Sequence, residues 1–91
     1  MRSIVRREAA RADLAEIVAY ISADNPAAAR QLRDAIEESV LPRIEHPFLY
    51  KSGRARGTRE IVVHPNTIVI YRVTTHEIEV VKVVHARRRY P

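Results

Sequence analysis

Gly53-Arg-Ala-Arg-Gly-Thr-Arg-Glu-Ile-Val-Val-His64, then Pro65-Asn-Thr-Ile-Val-Ile-Tyr-Arg-Val73 and, after a short break, Glu77-Ile-Glu-Val-Val-Lys-Val-Val-His85, is the stretch that decides the fold. Within it Thr58 to Val63, Thr67 to Val73 and Glu77 to Val84 are rich in Ile, Val and Thr, and are parted by His64-Pro65-Asn66 and Thr74-Thr75-His76. β-Branched runs bounded by turn residues predict a three-stranded antiparallel meander. Ile68 and Ile70 alternate with Val69, Tyr71 and Val73, so both faces of this strand are apolar and both require some cover.

The meander is preceded by a basic loop, Lys51 to Gly57, that holds both glycines of the chain. It has no Gly-Lys-Ser/Thr ending and no helix after it, so it is not a phosphate-binding P-loop. Its glycines serve turn geometry, and its arginines suit an acidic partner or a phosphate backbone.

Toward the N-terminus the period changes. Arg2 to Arg6 reads as a short edge strand. From about Arg7, Ala10, Leu14, Ile17, Val18 and Ile21 fall on one helical face, with Asp13 and Glu16 expected toward solvent. Asn25-Pro26 is a stop and a restart, an N-cap followed by proline at the first helical position. The second helix is expected to bury Ala28, Leu32, Ala35, Ile36 and Val40, and to end near Leu41 because Pro42 lacks the N–H that would bond Glu38. Ile44, Phe48 and Leu49 read as an irregular apolar segment over one end of the core. The sum is β-α-α-β-β-β over residues 1–91, a single α+β domain with a helical hairpin packed on a twisted antiparallel sheet.

Composition narrows the function. The 91 residues carry a net charge of +5, unevenly: residues 1–50 hold seven arginines and eight acids, whereas residues 51–91 hold nine Lys or Arg and three acids, a local net of +6. Such a field favours an acidic protein partner or nucleic acid. Without cysteine there is neither a disulfide framework nor a thiolate metal site. The four histidines have no metal-ligand spacing, so neither a metal nor a cofactor is expected. No run approaches a secretory signal or a membrane span, and the expected setting is the cytoplasm.

Asp13-Leu14-Ala-Glu-Ile17 with Tyr20-Ile21, Asn25-Pro26-Ala-Ala, His46-Pro47, Gly57-Thr58-Arg59-Glu60, Ile70-Tyr71-Arg72-Val73, and Val84-His85 with Tyr90-Pro91 form a spaced set. In this order they resemble the RelE/ParE family of bacterial toxins over nearly the whole chain. The resemblance implies the toxin half of a type II toxin–antitoxin pair, a growth inhibitor of the plasmid-stabilisation kind. It also implies a cognate antitoxin encoded alongside, with operator DNA reached only through that antitoxin. RelE-like members cut messenger RNA on the ribosome, whereas ParE-like members inhibit DNA gyrase. The long helical hairpin and the first helix look more like the ParE side. One departure is Thr67, where similar chains carry an aromatic residue after His-Pro-Asn. A nontoxic member kept as a binding partner is a third possibility, and Thr67 is its one hint.

For RNA cleavage by 2′-hydroxyl attack, the chemistry needs a base, an acid and cations for the developing phosphorane charge. His85 as base or acid and Arg72 as phosphate clamp are the catalytic candidates if the chain is RelE-like. Arg54, Arg56, Arg59, Lys82, Arg87 and Tyr90 are the candidates for target or antitoxin binding. Each has a structural alternative: His85 as a hydrogen-bonded strand end or an interface residue, and Arg72 as a cross-strand partner of Glu60 or Glu79.

Overall fold

Asn25 organises the helical half. Its side chain accepts a hydrogen bond from the Ala28 N–H at 3.0 Å, and Pro26 opens the helix behind it. This capped turn joins α1, Glu8–Ser22, to α2, Pro26–Ser39, as an antiparallel hairpin. Pro42 stops α2 as expected, and the chain tightens into a 3-10 turn over Leu41–Ile44. The structure, a computed structural model, describes residues 2–44, 46, 57–64 and 66–85. Phe48, Leu49 and the basic loop up to Arg56 lie outside the described residues.

The buried stripe of α2 is Ala29, Ile36 and Val40, with Leu32 beside it. Ala35, expected inside, is exposed, and Ala28 is half-buried. At 100° per residue, Ala29, Ile36 and Val40 lie within about 40° of arc, while Ala35 falls more than a quarter turn away. On α1, Ala10 and Ile17 are buried and Leu14 and Ile21 pack against the core.

Four strands form one sheet in the order β1-β4-β3-β2, where β1 is Ser3–Arg6, β2 is Thr58–His64, β3 is Thr67–Val73 and β4 is Glu77–His85. The meander is antiparallel throughout, and its boundaries match the expected ones to within a residue. The first strand lies at an edge, as expected, but pairs in parallel with β4, so the sheet is mixed rather than wholly antiparallel. A period of two identifies a strand without giving its direction.

Two irregularities set the faces. Tyr71 pairs with Val80 but Ile70 pairs with Lys82, so Val81 is an extra residue in β4. This bulge turns Val80 and Val83, three apart in sequence, toward the same core, where each is 5% exposed. Val63 is the extra residue in β2, between Val62↔Ile68 and His64↔Thr67. The core therefore lies between the hairpin and one face of the sheet, built on Val69, Tyr71 and Ile78, all at 0% exposure.

Candidate functional site

Arg72 is best understood from its strand. Alternation along β3 places Thr67, Val69 and Tyr71 toward the helices and Ile68, Ile70 and Arg72 away from them, which the burial pattern follows. Opposite Arg72 on β4 stands Glu79, and the two pair at 3.5 Å between Nη1 and Oε1. The other oxygen of Glu79 pairs with Arg7, at the junction of β1 and α1. Glu79 is buried, its side chain only 6% exposed, whereas the two arginines are about half exposed. A carboxylate taken out of water requires compensating charge, and these two guanidinium groups supply it. Glu79 is thus the cross-strand partner that the strand pattern allowed for Arg72.

His85 ends β4 directly across from Thr67. The Thr67 hydroxyl and His85 Nδ1 are 2.7 Å apart, with the imidazole tautomer deciding which of them donates. Thr67 is fully buried and His85 half-buried. Thr67 therefore fixes the imidazole to the strand beside it.

The two catalytic candidates do not converge. Thr67, the cross-strand neighbour of His85, is five residues from Arg72 on one strand, a separation on the order of 16 Å, and the odd number puts the two on opposite faces. One phosphate cannot touch both.

Lys82 is also engaged. Its Nζ lies 3.3 Å from both oxygens of Asp13. Asp13 Oδ2 in addition accepts the backbone N–H of Val83 at 3.0 Å. This corrects the expectation that Asp13 points to solvent, and the reason is topological. β1 covers β4 only from Glu77 to Val80, and α1 begins where β1 stops, so a carboxylate one turn into that helix can cap the backbone beyond. Nothing in the period of α1 signals it. Arg59 pairs across from Tyr71 on β2 and is half-buried. Arg54, Arg56, Arg87 and Tyr90 lie outside the described residues. Among the described residues no three His, Asp or Glu side chains are grouped to hold a metal ion, and no helix is long and apolar enough to cross a membrane.

Comparison with known proteins gives a consistent picture. The family model for the ParE toxin of the type II toxin–antitoxin system parDE matches residues 4–90. A Sinorhizobium fredii protein assigned as a toxin, Y4kP, is 35% identical over 79 residues, covering 86% of this chain and 81% of its own. Among solved structures, the chromosomal ParDE toxin–antitoxin system of P. aeruginosa superposes with a TM-score of 0.82 at 21% identity, covering 96% of this chain and 98% of that one. The E. coli DinJ–YafQ complex matches at 0.58 and 14% identity over 93% of each chain. These two likenesses establish the fold, and the family match goes further: the chain belongs to the ParE toxins of type II toxin–antitoxin systems.

Proposed function

We propose that this toxin acts by binding, as a ParE-like inhibitor of DNA gyrase in the cytoplasm, and that a cognate antitoxin neutralises it. The observation that carries the reading is the separation of Arg72 from His85. A ribonuclease needs its cation and its acid–base group on one phosphate, but here Arg72 lies beside Glu79 on one face and His85 beside Thr67 on the other. Lys82, another cation of the sheet, is held by Asp13. The surviving roles of these residues are cross-strand pairing and surface chemistry, which suit a binding protein.

The charge distribution supports a protein partner. The net +6 of residues 51–91 attracts an acidic chain and speeds its association, as expected for an antitoxin. Operator DNA is then reached only through that antitoxin.

The test is supercoiling by purified gyrase in the presence of the toxin, with and without the antitoxin. Inhibition that the antitoxin relieves is the expected result. Full supercoiling at toxin concentrations that arrest growth would remove gyrase as the target.

A further inference from the structure

The face of the sheet turned away from the helices carries an apolar row that the fold leaves outside its core. Val62, Ile68 and Val84 are direct cross-strand neighbours on β2, β3 and β4. Val62 is 65% exposed, and Ile68, Ile70 and Val84 are each partly exposed. None of the four belongs to the core cluster or to the residues packed against it. An exposed valine beside three half-covered aliphatic side chains is the kind of patch that a partner covers.

Beyond Ile70 on the same face comes Arg72. Its pairing with Glu79, at 3.5 Å, is longer than the roughly 2.7–2.9 Å of a tight charge-assisted bond, and Arg7 pairs with the other carboxylate oxygen. Two arginines share one acid. Glu79 therefore keeps a counter-charge if the half-exposed Arg72 turns to a second carboxylate.

The aliphatic row chooses between kinds of ligand. Glu60, in the row of Ile70, and Glu79, in the row of Arg72, share this face, and Lys82 is already taken by Asp13. A phosphate backbone would gain nothing from the aliphatic row. A protein segment with apolar side chains and one well-placed acid fits both features.

We infer that this outer face, from Val62 to Arg72, is the docking surface for an acidic amphipathic segment of the antitoxin. Its apolar side chains cover Val62, Ile68, Ile70 and Val84, and one of its carboxylates pairs with Arg72. Ile68 and Arg72 are four residues apart on β3, so the segment presents an apolar residue and an acid about 13 Å apart. The inference rests on the antitoxin reading above.

The experiment is calorimetric titration of the toxin with the purified antitoxin encoded beside it, using wild type, Val62→Asp, Arg72→Gln and Arg30→Glu. Arg30 is exposed on α2, away from this face, and serves as the control. Val62→Asp is expected to weaken binding by at least about tenfold, because it puts a charge into the covered row. Arg72→Gln is expected to cost about tenfold and to flatten the salt dependence, with Arg30→Glu within about twofold of wild type. Val62 is mostly in solvent, so Val62→Asp reports on docking even if Arg72→Gln loosens the sheet; thermal melting of each variant checks this. Wild-type affinity in both outer-face variants would overturn the docking surface and leave the antitoxin reading standing. No binding by the wild type would remove both. An RNA oligonucleotide bound by the wild type and lost in Arg72→Gln would give the face to nucleic acid instead, and would also overturn the inference.

Discussion

On β3 the residues Thr67, Val69 and Tyr71 face the helices and are fully buried, whereas Ile68, Ile70 and Arg72 face the other way and remain partly or largely exposed. The strand reads as one apolar run, yet its two faces do different work. The inner face is packed by the hairpin and sets stability. Among the described residues the outer face holds one arginine, its buried acid and a partly exposed aliphatic row, all of which can change without removing the core. Functional residues can therefore sit on a strand whose other side is fixed by packing, and their proximity in sequence says little about proximity in space.

The largest effect expected from this contrast is on the inner face. Tyr71→Ala should destabilise by about 3–5 kcal/mol, since it empties a fully buried aromatic site, and urea unfolding measures it. A loss below about 1 kcal/mol would mean that the helices do not pack on that face as described.

Next comes the acid that ties the outer face down. Glu79→Ala leaves Arg7 and Arg72 facing each other without their carboxylate, and should cost about 2 kcal/mol, reduced from the fully buried case because both arginines reach water. Equal stability of Glu79→Ala and wild type in chemical denaturation would show that the pairings contribute nothing net.

Asp13→Ala should cost about 1–2 kcal/mol by freeing the Val83 N–H, and amide hydrogen exchange at Val83 should accelerate with it. Lys82→Met, which removes a pairing from a half-exposed side chain, should cost under about 1 kcal/mol and leave Val83 protected. If the two substitutions behave alike, the carboxylate acts through Lys82 rather than the backbone. The smallest effect belongs to Val62→Thr, which keeps a β-branched strand residue in solvent and should alter stability by less than about 0.5 kcal/mol.

Much of the fold was legible because its signals are local. Asn25-Pro26 carries a capped helix start in two residues, Pro42 a helix stop, and the Ile/Val/Thr runs their own boundaries. What escaped depends on pairing in three dimensions. The parallel direction of β1, the bulge at Val81 that brings Val80 and Val83 to one face, and the capping of Val83 by Asp13 leave no period in the sequence. The choice of Ala29 over Ala35 turned on a small rotation of α2. For the site, the partnership of Arg72 with Glu79 was readable as a cross-strand alternative. The placement of Arg72 and His85 on opposite faces follows only from the strand register.

The most direct test of that separation is cleavage of messenger RNA in a translating extract by the purified toxin, followed by primer extension. Intact message is expected at toxin concentrations that arrest growth, with His85→Ala and Arg72→Ala indistinguishable from wild type. Cleavage by the wild type that either substitution abolishes would contradict it, because both residues would then serve one reaction centre.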